Sequence, residues 1–353
     1  MRSTGLALVL LVALAEPSAA QSVERVSFDA AVSATQAFGG SSGDRPDLIV
    51  DFTATARIGK GWVGYIRPWL RQASTEPYAV AREIYQAAVQ HERSGRVSTR
   101  LDVGYILTPI GIGMMDMRPD SNPVTMTHLS YVIPMPPIEF GTPSAYAVAS
   151  SYPLGAVLTA STLKWDVRGG VMASPPNRTY VLGASSPNPK ARPFVVVGGG
   201  VTPRTGLRFG VAYGHGEYAT GTELATPTAT GRGLQMLAVE GEFAVGYTKI
   251  TAELTRSTLD TRASTVKASE WFVQGVHTLS PHWYLGARTE HAYAPPSPVF
   301  GPRPTLHVSE ASVGYRLSND LILKNAVVSS KTYYSAAAVT QYACSVVWAK
   351  RFR

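Results

Sequence analysis

Between residues 48 and 58 apolar side chains occupy every second position. Leu48, Val50, Phe52, Ala54, Ala56 and Ile58 alternate with Ile49, Asp51, Thr53, Thr55 and Arg57. A period of two marks a strand with one greasy face and one polar face. After a turn at residues 59–61, Tyr65, Arg67, Trp69 and Arg71 fall on one face against Trp62, Gly64, Ile66, Pro68 and Leu70. The pattern returns down the chain. Leu163, Trp165, Val167 and Val171 oppose Lys164, Asp166, Arg168 and Met172, and Leu207, Phe209, Val211 and Tyr213 oppose Arg208, Gly210, Ala212 and Gly214. Such segments predict about sixteen strands, starting near residues 26, 48, 62, 80, 96, 153, 163, 194, 207, 233, 247, 267, 283, 305, 321 and 339. The segment at 80–91 shows no clean face, and its Ala, Glu and Gln content also suits a short helix.

The connections alternate in length. Short ones at 59–61, 92–95, about 161, 203–206, about 246, 280–282 and 318–320 interleave with longer ones at 39–45, 72–78, 108–148, 175–192, 217–232, 259–263, 294–303 and 329–338. A transmembrane β-barrel has short periplasmic turns and longer outer loops, with strands of roughly ten residues. A soluble sandwich has no reason for the alternation. The fold class expected is therefore an all-β, antiparallel, transmembrane barrel with both termini at the short-turn end. Trp62, Trp165, Trp283 and Trp348 lie near that end of their strands, as half of an aromatic girdle would.

One connection is far longer than the rest. Residues 108–148 hold seven prolines (Pro109, Pro119, Pro123, Pro134, Pro136, Pro137 and Pro143) and five of the eight methionines, so neither strand nor long helix is expected there. Structureless segments of this length tend to be functional. A sixteen-strand barrel is wide enough for an aqueous channel, and this loop is the segment that could fold inward and narrow it. Asp116, Arg118 and Asp120 are the residues expected at that constriction.

Composition fixes the setting. Residues 1–20 read as a secretory signal, with Arg2, an apolar run and a small-residue end at Ser18, Ala19 and Ala20, leaving 21–353 as the barrel. No later apolar run reaches the length of a transmembrane helix. Charged residues are only 16% of the chain, the net charge is +8, and Cys344 is the single cysteine, which excludes an internal disulfide. The basic residues are scattered by strand rather than gathered, so nucleic acid is not an expected partner.

If polar faces point inward, the lumen receives Arg57, Arg67, Arg71, Arg96, Arg100, Lys164, Arg168, Arg208, Lys249, Arg288 and Arg316. Against them stand Asp51, Asp102, Asp166, Glu240, Glu242, Glu253, Glu290 and Glu310. An arginine facing lipid at midplane costs about 2–4 kcal/mol, which puts these residues inside.

The last strand ends in Phe352 and resembles that of bacterial outer-membrane β-barrel proteins, although Lys350 and Arg353 depart from the commonest pattern. Residues 101–113, LDVGYILTPIGIG, resemble the strand and Thr-Pro-aromatic-Gly turn of the phosphate-selective porin O/P family, with Ile110 in place of the aromatic. That resemblance implies a homotrimeric sixteen-strand porin in the outer membrane, in contact with its lipid and passing small hydrophilic solutes or anions along arginines. It implies no cofactor and no catalysis. Two other readings stay open: an outer-membrane lipid hydrolase, and a structural or adhesive barrel that conducts nothing. No GxSxG occurs. The parity of His291 and His307 sets them opposite one another across a hairpin, but two imidazoles fall short of the three protein ligands of a catalytic zinc site, so no metal is expected.

Overall fold

A computed structural model describes residues 26–39, 46–72, 80–139, 144–178, 192–219, 221, 224 and 231–352. The expected signal sequence, Arg353 and parts of several longer connections lie outside them. Sixteen strands form one closed antiparallel barrel in which each strand pairs with its sequence neighbours. The first half comprises β1 (Val26–Phe38), β2 (Asp47–Gly59), β3 (Trp62–Gln72), β4 (Val80–Arg93), β5 (Ser98–Tyr105), β6 (Leu154–Ser161), β7 (Trp165–Met172) and β8 (Phe194–Arg204). The second comprises β9 (Leu207–Ala219), β10 (Arg232–Val245), β11 (Thr248–Asp260), β12 (Thr265–Thr278), β13 (Trp283–Tyr293), β14 (Thr305–Arg316), β15 (Leu321–Lys331) and β16 (Val339–Phe352).

Closure comes from β1 against β16, in register from Phe28 opposite Phe352 to Phe38 opposite Tyr342. It leaves no edge strand, and in hydrocarbon an unpaired backbone group costs several kcal/mol. Residues 80–93, ambiguous by sequence, are strand, because β3 and β5 on either side supply the ladder that helix propensity cannot outweigh. Two expected wall residues are displaced. Arg96 lies in the turn before β5, and Lys164 in the turn before β7, because the polar and glycine-bearing connections there are a residue or two longer than the alternation suggested.

The outer face is greasy. Val195, Val197, Phe209, Val211, Leu237, Val239, Leu254 and Val273 are exposed, with their strand neighbours turned inward. An apolar surface this continuous has no place in water and suits acyl chains. Trp62, Trp165, Trp283 and Trp348 are all exposed near the short-turn rim, as expected of a girdle. His291 and His307 do pair across β13 and β14, with ring centroids 4.3 Å apart, and Trp271 stacks on His291.

The inner face corrects one expectation, that water fills the middle throughout. Toward the long-loop end, inward positions carry Met172, Phe194, Leu234, Met236, Leu259, Leu306, Val308 and Val328, all buried. They pack on residues of the long loop such as Ile110, Met114, Leu129 and Met135. Alternation distinguishes the two faces of a strand, but it cannot report that the inner face meets protein rather than solvent. Charged positions concentrate at mid-height and toward the short turns.

Val211→Arg is expected to destabilise the folded barrel by about 2–4 kcal/mol in a bilayer. Denaturant titration in phospholipid vesicles reads it, with the inward Ala212→Ser, beside small neighbours on the same strand, as control. An equal effect from both substitutions would contradict the assignment of faces.

Candidate pore constriction

The segment between β5 and β6 runs inside the barrel. Prolines deny it a ladder of its own, yet every buried N–H and C=O needs a partner. The wall provides them. On β11, Glu253 accepts the backbone N–H groups of Ile112 and Gly113 at 2.6 and 3.0 Å, the Tyr131 hydroxyl at 2.9 Å and the Thr255 hydroxyl at 2.7 Å. On β13, Glu290 accepts the N–H groups of Leu129 and Ser130 at 3.2 and 2.6 Å, with His128 at 3.6 Å. On β14, Glu310 takes the Thr125 amide at 2.6 Å and hydroxyl at 2.5 Å.

Cations hold the carbonyls. Lys324 on β15 donates to Pro119 O, Asn122 O and Val124 O at 2.7, 2.5 and 3.2 Å, and Arg288 donates to Met126 O and Thr127 O at 2.8 and 3.0 Å. Carboxylates on amides and cations on carbonyls are the strong, charge-assisted kind of hydrogen bond. Burial, with Glu253 alongside, pushes the Tyr131 phenol well above its ordinary pKa, so it stays a donor.

Two glycines permit the approach. Gly111 has φ +77°, and a side-chain carbon there would stand 2.3 Å from a Glu253 oxygen. At Gly113 such a carbon would meet the Tyr131 ring at 2.6 Å. Farther along, Glu139 receives Arg232 Nε at 2.7 Å and the Arg262 amide at 2.9 Å. Burial alone would raise the Glu139 carboxyl, but these donors hold it below the usual carboxylate range.

The expected polar knot is partly in view. Residues 113–117 form a 3₁₀ turn, after which Arg118 bonds Asp120 at 2.7 Å and reaches Asp29, tying the loop to β1. The Asp116 side chain lies outside the described residues.

The expected lumen cations fall into four groups. Five are ion-paired on the wall: Arg67 bidentate on Asp51 at 2.9 and 2.6 Å, Arg100 on Asp102 at 2.8 Å, Arg168 on Glu240 at 2.9 Å, Arg208 on Asp166 at 3.0 Å and on Glu240 at 2.8 Å, and Lys249 near Glu242 at 3.6 Å. Arg57, Arg71 and Arg316 have no ion pair among the described residues; Arg57 is exposed near the short turn after β2, and Arg316 lies over the Tyr284 ring at 4.7 Å. Arg288 is sealed under the loop, 3.8 Å from Glu310, and lines no passage. Its fully buried position corrects the expectation that it lines the pore. Arg96 and Lys164 stand at the short-turn mouth.

Space remains beside the loop. A cavity of about 360 Å³ lies between residues 106–115 and the inner wall from β3 to β10, and another of about 210 Å³ lies below residues 120–123.

No family model matches the sequence, and no curated protein does. Solved structures do resemble it. OmpT, an outer membrane protein of Vibrio cholerae, gives a TM-score of 0.55 at 9% identity over 92% of this chain and 97% of that one. The fold is that of an outer-membrane β-barrel. In its trimer form OmpT gives 0.53 at 10% identity, over 92% and 99% of the two chains. OmpF of Salmonella typhi, in complex with daunomycin, gives 0.59 at 11% identity over 92% and 97%. At such identities the likeness is one of backbone path alone.

Sequence reasoning missed Asp29, Lys324 and the fully buried Glu270. Each carried a signal: a lone charge at an inward parity within an otherwise apolar or small-residue strand, as in Leu321 to Ala326.

Glu253→Ala should leave the barrel assembled and free the loop, at about 1–3 kcal/mol for each orphaned donor. Limited proteolysis in detergent should then cut within residues 112–131, which resist in the wild type. The Glu139 fastening should be complete above the usual carboxylate pKa of 4.5 and lost as pH falls through the lowered folded value. Glu139→Gln should abolish that pH dependence in the exchange of the Arg262 amide.

Proposed function

We propose that the protein is an outer-membrane porin through which small hydrophilic solutes diffuse passively. The observation that carries this reading is the fixed inward loop. It narrows a lumen whose short-turn half stays polar and still leaves cavities on two sides. An apolar belt and tryptophan rim support residence in the outer membrane, and the trimer form of OmpT supports a homotrimer. No enzymatic step enters the proposal, and Glu253, Glu290 and Glu310 are engaged in holding the loop.

Charge supports a modest anion preference at most. Five of the lumen cations are neutralised by neighbouring carboxylates, so the excess rests on Arg57, Arg71 and Arg316 and on the mouth residues Arg96 and Lys164. The likeness of residues 101–113 to the phosphate-selective family supports the same direction.

A second reading has a specific observation in its favour. The dense apolar packing of loop against β7–β15 supports a barrel that is closed toward the long-loop end and serves a structural role.

Planar-bilayer recording separates the two. A porin gives stepwise conductance that grows with salt concentration; a membrane that stays silent at every protein concentration would end the porin reading. Arg118→Ala should shift the zero-current potential toward cations, because it strips the positive partner from Asp29 and Asp120. Turnover of a lipid ester by the pure protein would bring back the hydrolase.

A further inference from the structure

The cavity beside the loop has two unlike walls. One is charged: Arg100 with Asp102 and Arg208 with Asp166 place guanidinium and carboxylate groups side by side. The other is apolar, made by Ile112 and Met115 of the loop. Two residues lining this cavity carry a buried polar atom with no hydrogen-bond partner among the described residues: the hydroxyl of Thr108 and Nε of Arg168. Buried polar atoms are seldom left so.

From these features we propose that the cavity binds zwitterions with an apolar body, of the apolar α-amino acid class, as they cross the barrel. The proposal rests on the porin reading above and names the solute class of the same lumen. Its volume of about 360 Å³ lies within the range of about 300–1,000 Å³ common for small-molecule pockets. A solute carboxylate would take the Thr108 hydroxyl and Arg168 Nε, forming charge-assisted bonds. Its ammonium would be taken by the Asp102 or Asp166 carboxylate. The apolar side chain would leave water for Ile112 and Met115, gaining the transfer free energy of a buried aliphatic group. A simple anion gains little here, because the guanidinium groups already hold carboxylates and it has nothing to set against the apolar wall. A zwitterion with a polar side chain loses the second half of the attraction.

The test compares L-leucine with L-glutamine, zwitterions of similar length. In planar bilayers, leucine should lower wild-type conductance saturably, with a half-blocking concentration about fivefold or more below that of glutamine. Met115→Asp should erase that difference. Met115 is 59% exposed, so its replacement leaves the fold intact. Equilibrium dialysis of labelled leucine and glutamine against detergent-solubilised protein reads the same site without current. Equal action of the two amino acids would overturn the proposal, as would an undiminished leucine preference in Met115→Asp. Bilayers that stay silent while dialysis favours leucine would sink the porin reading and leave the site standing.

Discussion

A segment rich in proline, placed inside a barrel, cannot satisfy its own backbone. That constraint organises the interior. The amides of residues 112–113, 125–126 and 129–130 face inward-pointing carboxylates on β11, β14 and β13, and the carbonyls of residues 119–127 face Lys324 and Arg288. A charge on the wall would be costly if unpaired; matched to several backbone dipoles, it becomes an anchor. The wall supplies rigid ladders and the loop supplies unfulfilled donors and acceptors.

The anchoring divides the lumen. Above the row of anchors, inward positions turn apolar, since the loop, not water, meets them there. Below it, toward the short turns, the wall keeps its charges. Because arginines stand beside aspartates and glutamates, the lower lumen has strong local fields and a small net charge. The field of a close ion pair falls off faster than that of a single charge, so such a surface acts on nearby groups through their dipoles more than through their sign.

How much of this was legible in the chain follows from what periodicity can carry. Period-two alternation locates strands because one face meets lipid and the other does not, and fifteen of the sixteen strands lie close to where the alternation placed them, β4 having shown no clean face. Turn composition blurred two boundaries, at Arg96 and Lys164, where a short polar connection continues the parity of the strand it precedes. The inward fold of the loop was foreshadowed by its length and proline content. Its docking was not: Glu253, Glu290 and Glu310 look in sequence like any polar residues of a lumen, and nothing local shows that their partners lie more than a hundred residues upstream.

The same reasoning explains why Arg288 was misread as a pore residue. Parity places its Cα on the inner face, and cost in lipid forbids the outer one, so the inference to the lumen is sound as far as it goes. The inner face, however, has two destinations, open water and the underside of the loop. What distinguishes them is the neighbour across the ladder. Arg288 stands opposite Glu310, which is already bound to the Thr125 amide, so its guanidinium is drawn to the adjoining carbonyls of Met126 and Thr127. Arg208, one strand pair from Glu240, finds carboxylates but no loop carbonyls and stays at the edge of the cavity. Assigning an inward charge to a pore therefore requires the loop's register as well as the strand's.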